Sequence, residues 1–129
     1  MSGRYLLDTN VAIRILNNEL DLETHRGQES EAFLCVTVVG ELFFGAEKSG
    51  RQEANKARVD RLIELCPLVP HNLDTARYYG EVKKRLLQQG RPIPENDIWI
   101  AAAALQHRLT VATGDPHFGH VEGLPVESW

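Results

Sequence analysis

The stretch Tyr5-Leu6-Leu7-Asp8-Thr9-Asn10 constrains the fold more than any other. Apolar residues run into an aspartate, and a short helical segment, Val11 to Leu16, follows at once. This pattern predicts a buried strand that delivers one carboxylate to its C-terminal end. In open parallel α/β sheets, that edge is where ligands and catalytic groups gather. Asp8 also suits the N-cap of the helix behind it, so alone it does not separate a cap from a catalyst.

The rest of the chain repeats the alternation. Glu19 to Glu31 is charged and weakly patterned, with room for a short exposed helix. Ala32 to Val39 is rich in β-branched residues and predicts a second buried strand. It leads into a helix over Gly40 to Glu47, which puts Glu41 near the positive end of that helix. Arg51 to Cys66 carries Val59, Leu62, Ile63 and Cys66 at helical spacing, with Arg51, Lys56, Arg58 and Arg61 on its polar face. Pro67 stops it, and Leu68-Val69 starts a third strand. Asp74 is expected to N-cap the next helix, which runs to about Gln89 with Ala76, Tyr79, Val82 and Leu86 on one face and Gly90 as its C-terminal signal. After the stiff connector Arg91-Pro92-Ile93-Pro94, Glu95 to Leu105 predicts a buried helix, apolar all round after its first turn. Thr110 to Thr113 is a fourth strand, and Leu124 to Glu127 a fifth at the sheet edge. Strand alternating with helix predicts one α/β domain over residues 1–129, a parallel sheet with helices on both faces.

At 129 residues such a domain buries enough surface to stand without disulfides. Cys35 and Cys66 both sit in apolar patterns and are read as reduced core residues, which fits a reducing cytoplasm. Met1-Ser2-Gly3-Arg4 is too short a lead for a secretion signal. The longest apolar block, Ile98 to Leu105, has eight residues, far below a membrane span. The net charge of −4 argues against a nucleic-acid partner only if the acids are spread evenly. If four of them share a metal site, the remaining surface averages to neutral.

Asp8 and Asp115 follow strand ends; Glu41 and Asp97 sit at helix starts. In a parallel sheet all these places share the C-terminal edge. The gaps between successive acids are 33, 56 and 18 residues, so only folding brings them together. Four carboxylates aimed at one crevice repel one another, which calls for hydrogen-bond donors or a cation among them. Oxygen donors suit Mg²⁺ or Mn²⁺, and the two buried thiols argue against zinc. Such a metal site suits phosphoryl chemistry, with Thr9, Asn10, Asn96 and Thr113 available to orient ligands or water. His117 and His120, three apart, are a weaker metal-ligand pair and read better as surface or substrate-facing residues. Lys83, Lys84, Arg85 and Arg91 cluster ahead of Asp97, and Arg14 follows Asp8; they are candidates for contacts with substrate phosphates, with a solvated helix face as the competing account of the first cluster. Trp99 and the Tyr78-Tyr79 pair offer base stacking, with core packing the better account of Trp99 and Tyr79.

Leu6-Leu7-Asp8-Thr9-Asn10, Thr37-Val38-Val39-Gly40-Glu41-Leu42, Glu95-Asn96-Asp97-Ile98-Trp99-Ile100-Ala101-Ala102 and Thr113-Gly114-Asp115 with Phe118 together resemble the PIN domain, and more narrowly the VapC toxins of VapBC toxin–antitoxin modules. The resemblance runs from residue 4 to Trp129. It implies a five-stranded parallel sheet and a Mg²⁺- or Mn²⁺-dependent endoribonuclease acting on structured RNAs such as tRNA and ribosomal RNA. It also implies metal-binding acids at Asp8, Glu41, Asp97 and Asp115, a supporting polar role for Thr113, a homodimer, and a VapB-type antitoxin. One departure is visible: the family has Asn before its last acid, where this chain has Gly114. Two rivals stand beside this reading. An aspartyl-phosphate phosphatase with Asp8 as nucleophile would want a second acid where Asn10 stands. An inactive PIN fold kept for binding would draw on Gly114.

Overall fold

In a computed structural model, which describes residues 3–27 and 29–129, the sheet is built outward from β1, Arg4–Leu7. Leu6 and Leu7 are fully buried, and the strand has parallel neighbours on both sides. β2 (Glu31–Cys35) pairs with one edge, Leu6 opposite Phe33, and β3 (Leu68–Val69) extends the sheet beyond it. β4 (Thr110–Thr113) pairs with the other edge, Leu6 opposite Val111, and β5 (Val126–Ser128) lies outside it. The order is β3-β2-β1-β4-β5, five strands, all parallel. The order therefore reverses at β1, and the crevice beyond the carboxyl ends of β1 and β4 is a topological switch point.

The helices are α1 (Thr9–Leu16), α2 (Leu22–Arg26), α3 (Val36–Glu47), α4 (Gln52–Leu65), α5 (Leu73–Gln88) and α6 (Glu95–His107). Right-handed crossovers carry the chain from β1 to β2 to β3 with α1 to α4 on one face. The return from β3 to β4 runs the opposite way, so α5 and α6 fall on the other face. Ile98 and Ile100 through Ala104 of α6 are buried, as expected of a helix apolar on all sides. Small Ala side chains let that helix lie close to its neighbours. Among the described residues no helix is long and apolar enough to cross a membrane. Met1 and Ser2 of the short lead, and Gln28 of the charged segment, lie outside the described residues.

Several boundaries differ from the sequence reading. The expected strand over Ala32 to Val39 stops at Cys35, and Val36 opens a helix instead. β1 ends at Leu7, so a longer β2 would run past its partner. Val38, Leu42 and Ala46, four apart, then form the buried face of α3, and tertiary packing overrides β-branched propensity. Glu41 consequently sits in the second turn of α3, not at its dipole-positive start. Asn72, not Asp74, caps α5. Its side chain accepts from the Thr75 and Asp74 amides, and the Thr75 hydroxyl accepts from the Asn72 amide. Asp74 pairs with Arg77 at 2.9 Å in the first turn. Thr75, not Ala76, is the buried residue at that end of the α5 core face.

Candidate active site

The site grows from the switch point. Asp8 leaves β1 with its amide still donating to Ala112 O of β4 at 3.0 Å. Its side chain is 4% exposed and both oxygens are held. Oδ1 accepts from the Thr9 amide at 2.7 Å, and Oδ2 accepts from the Thr113 hydroxyl at 2.7 Å. Asp8 is thus both the cap of α1 and a fixed carboxylate at the sheet edge. Burial raises its pKa, against the lowering by these two donors, and the Asp115 and Glu41 charges raise it further.

Thr113 ends β4 and links two acids. While its hydroxyl donates to Asp8, it accepts from the Asp115 amide at 2.9 Å. Asp115 Oδ1 in turn accepts from the His117 amide at 2.9 Å and caps a short 3₁₀ turn, Pro116–His120. Capping and a place at the cleft coexist for Asp115, as they do for Asp8. Gly114 stands between Thr113 and Asp115 in this turn. A Cβ there would meet only Trp129 O at 3.8 Å, an ordinary contact, so the fold does not demand glycine.

Glu41 reaches back from α3, where Oε1 accepts from the Thr9 hydroxyl at 2.9 Å. Asp97 comes from the first turn of α6, beside Asn96. Burial and the charges of Asp8, Asp115 and Glu41 push the Asp97 carboxyl up to about 6, with His117 acting against them. The four acids line one open cleft of about 540 Å³, together with Asn10 and Lys48.

The cleft does not include every basic residue singled out above. Arg14 donates to Trp129 O at 3.0 Å, away from the cleft lining. Lys83 is drawn to Glu95 at 2.5 Å and to the Tyr79 hydroxyl. Arg91 is exposed on the connector and does not line the cleft. Tyr79 and Trp99 stack on each other with centroids 4.1 Å apart and are half-buried between α5 and α6. Lys48, not among the candidates above, is the only cation lining the cleft among the described residues and is held over the Phe44 ring at 4.9 Å. Its signal was spacing: it lies seven residues, two helical turns, after Glu41. Reasoning also treated His117 and His120 as a pair. Only His117 faces the acids; His120 lines a separate pocket with Tyr78 and Glu81.

Residues 5–124 match the family model of the PIN domain. The chain belongs to the PIN domain family. Within it, this PIN domain falls with the VapC ribonucleases. It is 32% identical to Ribonuclease VapC2 of Haemophilus influenzae and 30% identical to the tRNA(fMet)-specific endonuclease VapC of Shigella flexneri, each alignment covering 98% of both chains. Among solved structures it resembles VapBC2 from Rickettsia felis, bound to a DNA fragment from their promoter, with a TM-score of 0.89 at 26% identity and 98% coverage of both chains. VapBC-1 from nontypeable Haemophilus influenzae gives a TM-score of 0.87 at 27% identity and the same coverage. The five-stranded parallel sheet expected from the family resemblance is therefore the fold of this PIN domain.

Proposed function

We propose that residues 1–129 form a divalent-metal-dependent endoribonuclease, the toxin of a VapBC-type pair, which hydrolyses phosphodiester bonds in structured RNA such as tRNA or ribosomal RNA. The observation that carries this reading is the convergence of Asp8, Glu41, Asp97 and Asp115 on one cleft that, among the described residues, a single cation lines. Four carboxylates held this way want positive charge between them. Their donor set fits Mg²⁺ or Mn²⁺: oxygen donors predominate, and both thiols are buried in the core. Asp8, Glu41, Asp97 and Asp115 would hold the ion, which when bound supplies a water of lowered pKa and neutralises charge at the phosphate.

The chain's own residues set the geometry. Thr113 and the Thr9 amide lock the Asp8 rotamer, and the Thr9 hydroxyl steadies Glu41. Asn10 and Asn96 stand exposed at the cleft rim, where side-chain amides orient phosphate oxygens. Lys48 meets an RNA backbone phosphate. In-line attack of water at phosphorus with the 3′-oxygen leaving gives 5′-phosphate and 3′-hydroxyl ends. A covalent phosphatase mechanism is disfavoured, because position 10, where such an enzyme would want a second acid, is Asn. The relatives solved as VapBC complexes support a cognate VapB-type antitoxin for this chain, a homodimer follows from the family, and the cytoplasm is the matching compartment.

The test is cleavage. Protein purified free of antitoxin is incubated with total tRNA and ribosomal RNA in Mg²⁺, Mn²⁺ or EDTA, beside Asp97→Asn. Discrete fragments that need the metal and vanish in the variant are expected. A folded, metal-loaded protein that cuts neither RNA pool would overturn the assignment and favour a binding role.

A further inference from the structure

We propose that His117 supplies a nitrogen ligand to a metal ion held by Asp97 and Asp115, making this a mixed nitrogen–oxygen site that favours Mn²⁺ over Mg²⁺. The inference rests on the metal-dependent reading above.

Three observations carry it. His117 Nδ1 lies 3.0 Å from Asp115 Oδ1 and 4.0 Å from Asp97 Oδ2. Octahedral ligands at about 2.1 Å from an ion stand about 3 Å apart when adjacent and about 4.2 Å apart when opposite. Both distances fall within that span, and one donor atom from each of Asp97, Asp115 and His117 can be chosen with all three within 4.8 Å of one another. Second, Nδ1 makes no hydrogen bond among the described residues, Asp115 Oδ1 being close but outside hydrogen-bond geometry; Arg26 Nε, His71 Nε2 and His120 Nδ1 are also buried without partners, and of these four only His117 Nδ1 lies within 4.0 Å of a carboxylate oxygen among the described residues. Third, the placement is enforced by the backbone. The Asp115 side chain accepts from the His117 amide across Pro116, so carboxylate and imidazole are tied to one tight turn. Asp115 Oδ1 accepts that bond, while Oδ2 accepts none among the described residues.

The chemistry then sets selectivity. Carboxylate and water sites accept Mg²⁺ readily, whereas an imidazole nitrogen is a better ligand for transition metals. His120 does not supply a second nitrogen: its ring centroid is 6.2 Å from that of His117, and it lines another pocket.

The experiment is pulsed electron paramagnetic resonance on the full chain loaded with Mn²⁺. A strong ¹⁴N coupling is expected in the wild type. It should change to the ¹⁵N pattern when histidine is ¹⁵N-labelled, vanish in His117→Ala and persist in His120→Ala. Calorimetry should show Mn²⁺ affinity falling at least about tenfold in His117→Ala, with Mg²⁺ affinity changed much less. Mn²⁺ bound without nitrogen coupling overturns the assignment of His117 and leaves the ribonuclease reading standing. No Mn²⁺ binding by the folded wild type overturns the metal site itself, and His117 with it. The wild-type spectrum decides the matter even if a variant fails to fold.

Discussion

At the residue scale, the acids in the cleft work against the fold until something neutralises them. Asp97 titrates at about 6 in the folded chain, against about 3.9 when unfolded. Between these values the native state holds a proton that the unfolded state has lost. Stability therefore falls as pH rises through that window, and the raised pKa of Asp8 acts in the same direction. In EDTA, Asp97→Asn should raise Tm at about pH 7 and flatten its dependence between about pH 4 and 6. A lower Tm for the variant at neutral pH would show that Asp97 is stabilised, not strained. Thr113 makes the complementary case. Thr113→Val strips a donor from Asp8 and an acceptor from the Asp115 amide, and should cost about 2 kcal/mol in urea unfolding. Thr113→Ser should recover most of the loss; equal losses in both variants would assign the effect to packing. Asp8, Asp97 and Asp115 were legible because each follows a strand or opens a helix; Glu41, in the second turn of α3, does neither. Lys48 was not legible, since a lysine at the C-terminus of a helix carries no motif, and only the position of Glu41 gives it meaning.

At the scale of elements, most helices and strands were legible from periodicity, and the errors fall where two local signals compete. Val36 to Val39 has strand propensity, yet the spacing of Val38, Leu42 and Ala46 made it helix once β1 had set where the sheet ends. Around residue 72, an acid drew the cap assignment although Asn72-Leu73-Asp74-Thr75 holds a better one, closed by hydrogen bonds in both directions. The two candidates separate by mutation. Asn72→Ala should destabilise by about 1 kcal/mol, and Asp74→Ala, which removes an exposed pair with Arg77, by about 0.5 kcal/mol or less. The reverse ranking in thermal melts would return the cap to Asp74.

At the scale of the molecule, the sequence indicated a parallel sheet but not the contacts that close it. Arg14 donating to Trp129 O, and Trp129 packed against Tyr5 with centroids 5.0 Å apart, join the two ends of the chain and have no local signature. The cysteines follow their expected burial: both are free and lie in the core, and burial pushes each thiol up to about 11. Neither should react with a thiol reagent in the native protein, and both should react on unfolding. Labelling of either at the rate of a free thiol would mean that the core opens locally.

The Thr113–Asp8 hydrogen bond spans 105 positions of the chain. Ribosomes add about 5–20 residues per second, so Thr113 is made about 5–20 s after Asp8. Asp115 is made later still. Each newly made copy therefore passes through an interval in which its first acid exists and the proposed metal-binding cleft does not. The hazard this nuclease poses to RNA begins only after β4 has been made, a delay written into the strand order.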